Sequence, residues 1–191
     1  MNDGRRRRLS SEQGLRADIS TPAGKQRYVR HLFSTIADRY DFITVALSYG
    51  QDARWKRHMI KLAALTHDDE VLDVACGTGD LLFAAARKVK RAVGVDVTLR
   101  MLQLAQQRAV KARPASAHLQ LPTTNCQLLQ ADMLALPFAG ASFTAVTTGY
   151  GLRNVPDLPG AIREIHRVLK PGGRMLSLDF NRPANRALQI G

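Results

Sequence analysis

The sequence predicts an α/β protein with a doubly wound, mostly parallel sheet of about five strands, preceded by helices. Three observations carry this. Short apolar runs at 71–75, 92–97, 127–131, 143–148 and 174–180 have the length and composition of buried strands. Stretches with helical spacing alternate with them. The first run stops at Gly77 and Gly79 and opens directly into a helical pattern, a Rossmann-like arrangement.

Residues 1–24 mix Arg, Ser, Gly and Pro22 without periodicity and read as a disordered basic tail. Residues 25–66 read as a helical cap over the ligand cleft. Tyr28, Val29, Leu32, Phe33, Ile36, Tyr40, Ile43 and Leu47 recur at three- and four-residue steps until Gly50. Trp55, Met59, Leu62 and Leu65 then share one face of a second helix. The main domain spans 67–183. After the strand at 71–75 come a helix at 81–89, a strand at 92–97 and a helix at 99–113 that ends at Pro114. A polar loop containing Pro114, Ser116, Pro122 and Thr123 precedes the strand at 127–131. The strand at 143–148 is followed by a helix at 158–169, which Pro171, Gly172 and Gly173 end before the last strand.

Composition bounds the function classes. A chain of 191 residues, 45% hydrophobic and 23% charged, suits one folded domain. Its longest apolar runs fall far short of a bilayer span, and no apolar stretch follows the basic start as a signal peptide requires. Two cysteines, Cys76 and Cys126, make no disulfide framework, so a reducing cytoplasm is expected. The formal net charge is +12. A solvated basic surface accounts for it first, attraction to a membrane surface second and nucleic acid last, because no aromatics interleave with the basic groups. The five histidines show no metal-ligand spacing, and no metal is expected.

The chemistry sits in Asp73-Val74-Ala75-Cys76-Gly77-Thr78-Gly79-Asp80, between the first strand and its helix. Gly77 and Gly79 allow a tight turn and close ligand approach. A dinucleotide site would want a third glycine where Leu82 stands, and the Asp73 and Asp80 carboxylates would repel a diphosphate. S-adenosylmethionine has no phosphate and carries an ammonium and a sulfonium, which acidic neighbours favour. Asp96 ends the second strand, where a carboxylate can accept both ribose hydroxyls. Asp132 ends the third, placed to accept an adenine amino group while Met133 packs on the ring. Cys76 lies near a helix N-terminus, which can depress a thiol pKa, although a small buried residue is the plainer reading.

Over residues 28–183 the chain resembles the ubiquinone/menaquinone biosynthesis C-methyltransferases. Three stretches carry the resemblance: Tyr40-Asp41 with Leu47-Ser48 and Trp55; Asp73 to Asp80; and Gly151-Leu152-Arg153-Asn154-Val155 with Arg167-Val168-Leu169-Lys170-Pro171-Gly172-Gly173. The resemblance implies that Thr78, Asp96, Asp132, Met133 and Gly149 contact S-adenosylmethionine. Ile43, Thr44 and Asp52 stand where the family usually has Met, Asn and His, and Asp179 and Asn181 replace Glu and Ser. Family members continue with a helix and two more strands, so residues 184–191 read as a truncated end.

The implied reaction moves a methyl group to a ring carbon of a polyprenylated quinol. Arg153 is expected to stabilise the phenolate or orient a water, and Asn154 to position the ring. Tyr40 and Asp41 are expected to close the pocket on the substrate. A polyprenyl acceptor implies transient contact with a membrane surface. The rival readings keep the donor: a methyltransferase on RNA or another small molecule, or a non-catalytic S-adenosylmethionine-binding protein.

Overall fold

A computed structural model describes residues 21–111 and 125–180. The expected tail up to residue 20, the loop at 114–123 and the end at 184–191 lie outside them. Among the described residues the helices are α1 (Pro22–Ile36), α2 (Tyr40–Leu47), α3 (Asp52–Leu62), α4 (Asp80–Ala86), α5 (Leu99–Lys111) and α6 (Leu158–Val168). The strands are β1 (Glu70–Val74), β2 (Arg91–Asp96), β3 (Cys126–Gln130), β4 (Phe143–Gly149) and β5 (Leu169–Leu178).

All five strands run parallel in the order β3-β2-β1-β4-β5, as a doubly wound sheet requires. Side chains alternate across it. Val71, Ala92 and Ala145 face one layer, where Met59 and Ile60 of α3 and Leu81, Leu82 and Ala85 of α4 cover them. Leu72, Val74, Val93, Val95 and Val146 face the other, against Ala161, Ile165 and Val168 of α6. Burial of such a side chain stabilises the fold by roughly 1.5–3 kcal/mol. Both faces are therefore apolar, and the strands read as continuous apolar runs.

Two elements differ from the sequence expectation. The periodic stretch from Tyr28 to Leu47 is two helices, divided by a 3₁₀ turn at Ala37–Arg39. Ala37 is buried there, and the bend lets the Phe33 and Tyr40 rings meet edge to face at 5.9 Å. Helical spacing continues through the turn, so periodicity alone does not reveal it. The first helix also begins inside the expected tail: the Thr21 hydroxyl accepts the Gly24 amide at 3.1 Å and Pro22 occupies the first turn.

The second difference is β5, which starts at Leu169 directly after α6. Leu169 pairs with Phe143, the register shifts, and pairing resumes at Arg174 with Ala145. Pro171, Gly172 and Gly173 thus form a bulge inside the strand rather than a spacer before it, with Gly172 at φ +78°. Asp69 ties this edge to the rest. Its carboxylate accepts the Thr144 hydroxyl at 2.6 Å, the Thr66 amide at 2.7 Å and the Arg174 guanidinium at 3.0 Å. Burial opposes its charge, but these bonds hold the carboxyl down at about 2.

Candidate active site

The chain leaves β1 toward β2 on one side and β4 lies on the other, so a crevice opens above the strand ends at that switch point. A cleft occupies it, lined by apolar side chains and a few convergent polar groups, as small-molecule sites are. The ends of β1, β2 and β4 form its floor, and α1 crosses above with Gln26, Val29 and Phe33. A smaller recess of about 330 Å³ adjoins it and shares Tyr40, Ala75, Gly77, Gly149 and Tyr150.

Two tight turns shape the cleft. After β1, Ala75, Gly77 and Gly79 have φ of +54°, +53° and +91°. After β4, Tyr150 has φ +61°. Ala75 and Tyr150 hold a left-handed backbone despite carrying a Cβ, a strain that surrounding packing must sustain. The turns touch at Gly151, where a Cβ would lie 2.7 Å from the Ala75 Cβ and 2.8 Å from the Thr148 Oγ1.

Gly77, Asp96, Asp132, Met133, Gly149, Tyr40 and Asn154 line the main cleft. Asp96 accepts the Gly77 amide at 2.9 Å and the Thr98 amide at 2.8 Å, and burial raises its carboxyl pKa against those bonds. One Asp132 oxygen accepts the Leu134 amide at 2.9 Å, and the other accepts the Gln26 side-chain amide.

Asp73 and Thr78 line the smaller recess. Asp73 Oδ1 accepts the Thr147 hydroxyl at 2.7 Å, while its buried Oδ2 has no hydrogen-bond partner among the described residues. Burial pushes this carboxyl up to about 7; the Thr147 bond and the Leu82 amide, which lies outside hydrogen-bond geometry, offset it only in part.

Gly79, Asp41 and Arg153 border neither space. Asp41 instead accepts the Thr78 hydroxyl at 2.8 Å and pairs with Arg108 at 3.3 Å. Arg153 lies 5.6 Å from the Tyr150 ring centroid and 5.1 Å from that of Phe180, with Asp179 at 3.6 Å. Asn154 donates to the Tyr150 carbonyl at 3.0 Å. Cys76 is buried, and that burial drives its thiol pKa well up, so the depressed-pKa reading is overturned.

Sequence reasoning missed a polar chain along the recess. Tyr150 Oη donates to buried Asp52 at 2.9 Å, Lys56 bridges Asp52 at 2.7 Å and Asp80 at 2.8 Å, and Arg108 holds Asp80 at 2.6 Å. Burial penalises the Asp80 charge, yet Lys56 and Arg108 keep its pKa below the usual range. Asp80 is therefore neutralised, and the acidity of the site rests on Asp73, Asp96 and Asp132. Asp52 and Lys56 stand four apart on one helix, a pairing visible in sequence. Arg108 and Gln26 carried no comparable signal.

Fold and site together define a domain of the class I methyltransferase fold. A family model for the ubiE/COQ5 methyltransferase family matches residues 21–191. The chain belongs to that family. It is 42% identical over 163 residues to a 2-phytyl-1,4-naphtoquinone methyltransferase of Synechocystis, covering 84% of this chain and 65% of that protein. It is 37% identical over 174 residues to a demethylmenaquinone methyltransferase of Symbiobacterium thermophilum, covering 90% and 66%. The chain thus spans about two thirds of the length of these relatives. Among solved structures, the YcgJ protein of Bacillus subtilis aligns with TM-score 0.60 and 31% identity over 70% of this chain and 53% of that one.

Membership implies S-adenosylmethionine as methyl donor, and the residues present fit it. An unpartnered, buried Asp73 oxygen suits an ammonium, and the glycine turn leaves room for a ligand: nothing lies within 4 Å of a Cβ built on Gly77.

Proposed function

We propose that this chain acts in S-adenosylmethionine-dependent C-methylation of a polyprenylated quinol, demethylmenaquinol or the benzoquinol precursor of ubiquinol. The observation that carries the reading is the cleft over the β1/β4 switch point, with buried Asp96 and half-buried Asp132 on its wall and the unpartnered Asp73 Oδ2 in the adjoining recess. In this reading Asp96 accepts the ribose hydroxyls. Its oxygens each accept one amide and retain lone pairs for more. Asp132 and Met133 take the adenine, and the turn at Asp73, Gly77, Thr78 and Gly79 takes the amino-acid end beside Gly149.

The bound donor supplies an electrophilic sulfonium methyl group; the chain must make the acceptor carbon nucleophilic and hold it in line. Asn154, on the cleft wall, positions the acceptor ring. Tyr150 Oη donates to Asp52, so it can take the proton of a ring hydroxyl as its own hydrogen passes to the Asp52 carboxylate, which ends the step protonated. Arg153, 5.6 Å from the Tyr150 ring centroid, favours the resulting anion electrostatically, and Tyr40 and Asp41 close the pocket. The acceptor's prenyl tail partitions into bilayers, so the chain must meet a membrane surface to reach it.

Calorimetric titration of S-adenosylmethionine into wild type and Asp96→Ala tests the donor, with binding expected only in wild type. Turnover of demethylmenaquinol and a benzoquinol analogue tests the acceptor. Donor binding without turnover of either favours a non-catalytic binder, and salt-steep RNA binding favours an RNA enzyme. No donor binding by folded wild type overturns the reading.

A further inference from the structure

Helix α2 is held by one face only. Thr44 and, just past its end, Ser48 are buried, while Tyr40 lines the cleft. The opposite side is apolar and open to solvent: Phe42 is 76% exposed, Val45 50%, and Tyr49 in the following turn 93%, while Leu47, nearer the Tyr40 side, is 61% exposed. Residues 42–51 include no charged side chain. Trp55 and Leu62 on α3 extend the exposed apolar set. Soluble proteins seldom leave such a surface in water unless something covers it.

The charges around it are asymmetric. Arg39 precedes α2, and Arg54, Arg57 and Lys61 follow on the exposed side of α3; none has an ion partner among the described residues. The nearby acids are engaged elsewhere: Asp38 with Arg100, Asp41 with Thr78 and Arg108, Asp52 with Lys56 and Tyr150. The rim is therefore cationic. A second copy docked on this face would bring like charges together. An anionic lipid surface meets both features, taking apolar side chains at the acyl boundary and guanidinium groups at the phosphates.

We propose that α2 and the turn after it dock the chain on an anionic bilayer, with Phe42, Val45 and Tyr49 inserted and Arg39, Arg54 and Arg57 on lipid phosphates. This rests on the quinol reading for its purpose. The docked helix carries Tyr40, a wall of the cleft, so an acceptor ring can enter while its prenyl tail stays in the membrane.

The test is co-sedimentation of the 191-residue chain with phosphatidylglycerol–phosphatidylcholine vesicles and with phosphatidylcholine alone. Wild type is expected to bind the anionic vesicles, and Phe42→Ser/Tyr49→Ser and Arg54→Glu/Arg57→Glu each to bind about tenfold more weakly with unchanged melting temperature. A variant with Arg5 to Arg8 replaced by serine is expected to keep binding. Full binding by Phe42→Ser/Tyr49→Ser, or binding lost only with the arginine tail, overturns the proposal. So does self-association of wild type that Phe42→Ser/Tyr49→Ser abolishes, since the face then joins two copies. Titration of S-adenosylmethionine into the same variants separates the two readings. Donor binding without vesicle binding overturns docking alone, and vesicle binding without donor binding overturns only the methyltransferase reading.

Discussion

Asp73 shows how a carboxylate can weaken the empty fold and serve a ligand. Its pKa stands at about 7 in the folded chain because burial disfavours the charge, against roughly 3.9 in an unfolded chain. Between those values the folded state holds the extra proton, so stability falls as pH rises from about 4 to about 7 and is level on either side. Across that window the loss is up to about 4 kcal/mol. Asp73→Asn should flatten the slope: in urea unfolding, its stability relative to wild type is expected to improve by about 1–4 kcal/mol from pH 5 to pH 8. S-adenosylmethionine, bringing an ammonium to the ionised carboxylate, should bind more tightly as pH rises through 7. Gly151 is a steric counterpart, since the two left-handed turns leave no room for a methyl. Gly151→Ala is expected to cost about 1–3 kcal/mol in thermal unfolding. Asp73, Asp96 and Asp132 were legible in sequence because strand ends in a doubly wound sheet must face the crevice. The link from Tyr150 to the Asp52–Lys56 pair was not, because it forms only when α3 packs over the turn after β4.

At the level of elements, the cap helices α1 and α2 are pinned by a few polar contacts and little apolar burial. Arg108 on α5 reaches Asp41 in the first turn of α2, Thr78 in the glycine turn and Asp80 at the start of α4. Lys25 on α1 donates to the Val155 carbonyl at 2.7 Å, and Gln26 occupies one oxygen of Asp132. A ligand amino group that uses this oxygen shares it with Gln26, which couples ligand binding to the seat of α1. Arg108→Met is expected to speed amide exchange across residues 37–47 and raise the donor's dissociation rate, leaving exchange in β1 and β2 unchanged. Hydrogen-exchange mass spectrometry and stopped-flow release read the two effects. The sheet was legible because strands buried on both faces leave uninterrupted apolar runs. The β5 bulge and the bend at residues 37–39 were not. Pro-Gly-Gly reads as a helix stop whether or not a strand follows at once, and buried Ala37 breaks no periodicity.

For the molecule as a whole, the cleft links stability to occupancy. A ligand bound only by the folded chain stabilises it by about 2.7 kcal/mol at a hundredfold excess over Kd. S-adenosylhomocysteine, which shares every proposed contact except the transferred methyl, is expected to raise the melting temperature of wild type and leave that of Asp96→Ala unmoved in a thermal shift assay. The relatives' names point to methylation of different quinones, and Ile43, Thr44 and Asp52, read from sequence as departures from the family pattern, lie on α2 and α3 and not in the glycine turn.

The strand order also sets how far apart in the chain the two sides of the crevice lie. β1 pairs with β2, its immediate successor, but its other edge belongs to β4, and the Asp73–Thr147 contact across that seam closes 74 residues of chain. Non-local pairings of this kind slow folding, because chain must be gathered before any contact rewards it. Until β4 arrives, β1 has an open edge, and the turn that holds Gly77 lacks its neighbour at Gly151. The crevice is complete only once β4 has paired with β1, so whatever occupies it bridges two segments far apart in the chain.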